Sequence, residues 1–191
     1  MLDTAKELIW RDSYNATSVD EICKKSNTKK GSFYHYFPSK AHLALETMDG
    51  CMQETKEKYD EVFSPTYPAL ERFSLMVDYV IEQQREISKE LGHVCGCPFA
   101  TLGSELAAQD KEVGEKIAII CATKTKYYSS ALRDLVNDGV ISKETNIEAK
   151  ADAIFALIVG ELIVARIKND LSSIENNLKT TLFDLIGVKE T

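Results

Sequence analysis

Apolar positions recur along this chain at helical spacing and nowhere alternate as in a strand. Leu2, Ala5, Leu8 and Ile9 share one side of a helix predicted from Met1 to about Trp10. A turn from Arg11 to Ala16 comes next. Val19, Ile22 and Cys23 then form the apolar face of a short helix. Thr17 is its expected N-cap, and Asp20 and Glu21 lie in the first turn, where the helix dipole favours negative charge. Ser26-Asn27-Thr28 reads as the next turn, with Asn27 suited to the left-handed region. A second short helix is predicted from about Lys29 to Tyr36, with Phe33 and Phe37 facing inward. Pro38 stops it, and Ser39 caps the next helix.

Longer helices fill the remainder. One is predicted from about Lys40 to Val62, with Gly50 inside it as a candidate bend. Ser64 to Pro68 breaks it, and a further helix runs from Pro68 to about Leu91. Two more are predicted from Pro98 to about Gln109 and from Lys111 to Asn137. The next helix is predicted from Ala149 to Lys168, and its centre, Ala153 to Ile167, is apolar nearly all round, so more than one of its sides must be covered. The last helix, Ser172 to Ile186, carries Ile174, Leu178, Leu182 and Leu185. The pattern predicts an all-α protein: a three-helix head over residues 1–45, then a larger helical domain over 46–191.

Charge changes the picture. The chain of 191 residues carries −7 overall. Residues 1–50 hold seven basic and seven acidic side chains, so the acidity lies in the remainder, with sixteen against twenty-three. From Ile22 to Leu45 there are five lysines and no acid. Lysines so grouped are what duplex DNA selects, because each one near a phosphate releases condensed counterions. The second short helix also turns Lys30, Ser32, Tyr34 and Tyr36 outward. Hydroxyls and ammonium groups on one exposed helix face suit the major groove, where they reach phosphates and base edges.

Thr17-Ser18-Val19-x-x-Ile22, followed by Lys30-Gly31-Ser32-Phe33-Tyr34-His35-Tyr36-Phe37-x-Ser39-Lys40, strongly resembles the helix-turn-helix of the TetR family of one-component regulators. The resemblance implies DNA contacts at Thr17, Ser18, Lys29, Lys30, Ser32, Tyr34, Tyr36 and Lys40, with Gly31 permitting close approach and Phe33 and Phe37 in the core. It also implies a homodimer on a palindromic operator and an effector pocket in the second domain, with the helix from Lys40 as the moving part. Family members often carry a basic stretch ahead of the first helix; here the chain is either naturally short or preceded by such an arm.

The effector is less legible. Met52, Phe73, Met76, Phe99 and Tyr128 are candidate lining and imply an apolar or aromatic molecule. Cys97 stands before Pro98, an expected first helical residue, where orphan amides favour a thiolate. Cys95 is two residues away, and Cys121 lies on a helix stripe with the look of a core residue. Gly96-Cys97-Pro98 followed by Leu102-x-x-Glu105-Leu106 is similar to a TetR subgroup, some of whose members sense electrophiles or oxidants through a cysteine. Three roles stay open for these cysteines: sensing, plain structure, or metal binding with His93. The last lacks a clear fourth ligand, so no metal or cofactor is expected.

Ala153, Ala156 and Gly160 make a small-residue ridge, and with Ile163, Leu178 and Leu182 they are the candidate dimer face. Cysteine catalysis at Cys97 with His93 finds no orienting third group, so no enzyme is expected. No apolar run of about 18 residues appears, and the N-terminus lacks signal-peptide form. A cytoplasmic protein with reduced thiols and no membrane partner is the expectation.

Overall fold

The computed structural model describes residues 1–188. Among them are nine helices: α1 Leu2–Asp12, α2 Val19–Lys25, α3 Lys30–Tyr36, α4 Lys40–Val62, α5 Ala69–Leu91, α6 Pro98–Leu106, α7 Lys111–Asn137, α8 Ile147–Lys168 and α9 Ser172–Ile186. The fold is all-α, with an N-terminal helix-turn-helix followed by a helical C-terminal region. Two compact units divide the chain. Unit 1 comprises residues 1–55 and 98–120; unit 2 comprises 56–97 and 121–191.

In unit 1, Leu8, Ile22, Phe33 and Leu43 are buried to 1% exposure or less and fill the core of the small helices. Trp10, at 7% exposure, is buried in the same unit. The start of α2 differs from expectation by one residue. Ser18, not Thr17, is the N-cap, and its Oγ accepts from the Glu21 amide at 3.1 Å. Thr17 cannot serve, because its hydroxyl donates backward to the Ser13 carbonyl at 2.8 Å. Asn27 takes the left-handed turn with φ 51°, and Ser39 Oγ caps α4 by accepting from the His42 amide at 3.0 Å. Gly50 interrupts nothing: α4 is continuous through it.

Unit 2 is built around α5, α8 and α9. Met76 and Val77 of α5, Ile154 of α8 and Leu182 of α9 are fully buried there. Arg72 is buried with them, donating to Tyr67 O at 2.8 Å and pairing with Asp134 at 2.5 Å. A buried guanidinium needs both partners, since an unpaired charge there costs several kcal/mol.

The segment before α6 is an ordered strap. Gly96 exchanges two hydrogen bonds with the Gln84 side chain: its amide donates to Oε1 at 3.1 Å and its carbonyl accepts from Nε2 at 3.3 Å. Arg166 donates to Cys95 O at 2.7 Å, and the Val94 amide donates to Asn169 Oδ1 at 2.9 Å. The cysteine-bearing loop is thereby fastened to α5 and to the C-terminal end of α8.

Candidate nucleic-acid interface and effector residues

α3 owes its outward face to a simple division. Phe33 is fully buried and packs edge-on against Tyr34 at 5.0 Å between ring centroids and near Phe37 at 5.9 Å. The remaining positions of this two-turn helix must then face away from the core. Tyr34 is 52% and Tyr36 67% exposed, and Gly31, Ser32 and Lys29 are exposed beside them. A Cβ added at Gly31 would meet no protein atom within 4 Å. The glycine is therefore not demanded by packing inside the chain, and its smallness is available to something outside it. Ser18 is exposed at the start of α2. Lys30 pairs with Asp20 at 2.7 Å across two solvated side chains.

Two candidates for DNA contact sit otherwise. Thr17 is 1% exposed. Lys40 is half-buried; its Nζ donates to Tyr14 O and Thr17 O at 2.8 Å each and stands 3.9 Å above the Tyr14 ring. Burial pulls the Lys40 pKa below its ordinary value, with Glu105 acting the other way. Both residues hold the α1–α2 turn in this state.

The effector candidates divide between the units. Phe73, Met76, Cys95, Cys97, Cys121 and Tyr128 belong to unit 2; Met52 and Phe99 belong to unit 1. Tyr128 is buried, and its hydroxyl meets that of Tyr59 at 2.9 Å. Around this pair stand Phe63, Phe73 and Tyr127, with ring centroids 5.4–6.4 Å apart. Burial raises the pKa of Tyr59 and of Tyr128 far above that of a free phenol. Tyr59 and Phe63 escaped the sequence reading. Their four-residue spacing near the end of α4 was the available signal.

Cys95 is fully buried with its Sγ 3.8 Å from His93 Nε2, and Cys97 is 6% exposed immediately before α6. Cys121 is half-buried; burial raises its thiol pKa, and Cys97 adds to the shift. None of the five cysteines is in a disulfide. Among the described residues no three His, Cys, Asp or Glu side chains converge as a metal site would need. Phe99 instead lines a pocket of about 30 Å³ in unit 1, with Trp10, Met48 and Cys51. That is room for one or two waters rather than an effector.

The dimer candidates also divide. Ala156 and Gly160 are exposed on α8, Ala153 and Ile163 are half-buried, and Leu178 and Leu182 of α9 are buried inside unit 2.

Residues 1–47 match the family profile described as bacterial regulatory proteins, tetR family, and residues 70–181 match the tetracyclin repressor-like C-terminal domain. The chain belongs to the TetR family. It is similar to an HTH-type transcriptional regulator in the lacX 3′ region of Lactococcus lactis subsp. lactis, at 29% identity over 192 residues, covering 99% of this chain and 94% of the relative. Among solved structures, a TetR-family regulator from Agrobacterium tumefaciens superposes with TM-score 0.85 at 20% identity, covering 99% of this chain and 95% of that one. The reduced form of Escherichia coli NemR superposes with TM-score 0.76 at 19% identity, covering 100% and 95%. As a TetR-family transcriptional regulator with a DNA-binding helix-turn-helix, the chain is not an enzyme, and none of its described helices is long and apolar enough to cross a membrane.

Proposed function

We propose that this regulator is a cytoplasmic homodimeric repressor that reads a palindromic operator with residues 1–45 and is released by a small apolar or electrophilic effector taken up by residues 46–191. The observation that carries the reading is α3: seven residues long, with Phe33 as its anchor and Tyr34 and Tyr36 turned to solvent. Exposed aromatic hydroxyls beside Gly31, Ser32 and Lys29 have no use within the fold and fit a major groove. Two such heads on a two-fold axis would address half-sites about one helical turn, ~34–36 Å, apart. The aromatic cluster around Tyr59 and Tyr128 supports an apolar or aromatic effector, and the place of Cys97 immediately before the first turn of α6 supports an electrophilic one.

Fluorescence anisotropy with a duplex selected from a randomised pool tests the proposal. Tyr34→Ala should weaken binding to the selected duplex much more than to a scrambled one. Lys29→Ala should weaken both and lower the slope of log K against log salt by about one. Wild-type discrimination in the Tyr34 variant would overturn the assignment of α3. Adding a quinone or a hydrophobic dye to the preformed complex reads release, and a complex indifferent to both would remove the effector part of the reading.

A further inference from the structure

The turn between α1 and α2 is held in a backbone conformation that its sequence does not favour. Ser13 has φ 105° and ψ 161°, a region nearly restricted to glycine. Such a residue persists only where its surroundings over-determine it. The surroundings here are specific. The next two amides, Tyr14 and Asn15, both point at the carboxylate of Glu105 on α6: Tyr14 N donates to Oε1 at 3.3 Å and Asn15 N to Oε2 at 2.8 Å. Successive amides converging on one anion form a nest, a common cradle for negative charge. On the other side of the same turn, Lys40 Nζ binds the carbonyls of Tyr14 and Thr17. The Thr17 hydroxyl closes the turn on Ser13 O, and Ser18 then caps α2.

We infer that Glu105 is a positioning residue for operator recognition: its carboxylate, seated in the Tyr14–Asn15 nest, fixes the turn that sets the start of α2 and thereby the presentation of α3. Glu105 touches no residue of the reading face and carries the wrong charge to meet a phosphate. It acts through the backbone of residues 13–18, and so rests on the proposed role of α3 as the reading helix. Because α6 comes directly after Cys97 in the chain, the same contact links the entrance of the reading head to the helix that the strap leads into. Any displacement of α6 that withdrew the carboxylate would hand two amides over to water and leave Ser13 without that support.

Positioning and plain electrostatics predict opposite signs for the loss of this carboxylate. Removing a negative charge from a DNA-binding unit should raise affinity by relieving repulsion. If Glu105 positions the turn, Glu105→Ala should instead lower affinity for the selected duplex by at least about tenfold, the equivalent of one lost charge-assisted hydrogen bond. Binding to a scrambled duplex should stay unchanged, and so should the salt slope, since no phosphate contact is lost. Glu105→Gln keeps one acceptor oxygen and should lose less. It also guards against a misfolded alanine variant: hydrogen exchange of the amides from Tyr14 to Thr17 should quicken while the global melting temperature holds. An affinity equal to or above wild type, a loss shared equally by both duplexes, or unchanged exchange in Glu105→Gln would each overturn the inference. Failure of the α3 assignment reads differently, because it appears in Tyr34→Ala while the exchange response to Glu105→Gln persists.

Discussion

Tyr59 and Tyr128 face each other hydroxyl to hydroxyl, 2.9 Å apart, with rings 2% and 1% exposed. Ionising either would place a phenolate in an apolar surround, so burial raises both pKa values far above 10. Tyr127 is less buried, yet burial and the hydrogen bond it donates to Asp60 push it up to about 12. The sign comes from proton linkage. Each group binds its proton more tightly when folded, so the stability it contributes is complete below about pH 10 and drains away as pH rises through the folded values. Alkaline titration monitored by tyrosinate absorbance should therefore show Tyr59 and Tyr128 ionising only as helical circular dichroism is lost. All eight tyrosines ionising together with helicity intact would contradict the buried pair. At this scale the sequence was a partial guide. The spacing of Phe33 and the outward set of α3 were legible because a two-turn helix has few ways to hide one phenylalanine. The Glu105 nest was not, because its partners lie 90 residues apart and are backbone amides without a side-chain signature.

Among the elements, helices were the most legible part, since their apolar stripes arise from the 3.6-residue period alone. Their joints were not. The cysteine loop looked like candidate chemistry, and it is also a structural strap whose bonds to Gln84, Arg166 and Asn169 depend on tertiary proximity. Two glycines separate these cases. Gly50 sits mid-helix in α4, and a Cβ there would meet nothing within 4 Å. Gly50→Ala should then raise stability by about 0.5–1 kcal/mol, through helix propensity and a less flexible unfolded chain. Gly96 has φ +69°, and a Cβ there would stand 3.0 Å from the Leu162 carbonyl and 3.3 Å from Arg166 Cβ. Neither neighbour is free to yield, because one is helix backbone and the other anchors the strap. Gly96→Ala should cost about 1–3 kcal/mol. Thermal or urea melts of the two variants should move in opposite directions; a neutral Gly96→Ala would mean the strap is looser than its hydrogen bonds describe.

For the whole molecule, the question is what covers α8. Its inner side, Ala151, Ile154, Ile158, Leu162 and Ala165, is buried within the protomer. Its outer side remains apolar: Ala156 and Gly160 are exposed, Val164 is 39% and Ile167 77% exposed. The uniform apolarity read from the sequence is thus half accounted for inside the chain. α9 differs, because Leu178 and Leu182 are consumed internally and its solvent side is Asn176, Asn177 and Thr180. The proposed dimer would accordingly rest on the small-residue ridge of α8, where a smooth surface lets helices approach closely, and only secondarily on α9. Gly160 gives a clean test, since a side chain added there meets no atom of its own protomer within 4 Å. Gly160→Trp should fold with wild-type helicity and melt cooperatively, yet sediment as a monomer where the wild-type protein sediments as a dimer. If two heads grip a palindromic operator at once, as proposed, the variant should also lose operator affinity steeply while each head keeps its weak, salt-sensitive hold on any duplex. A Gly160→Trp protein that stays dimeric and binds normally would place the partner surface elsewhere on the molecule and leave the apolar side of α8 without an occupant.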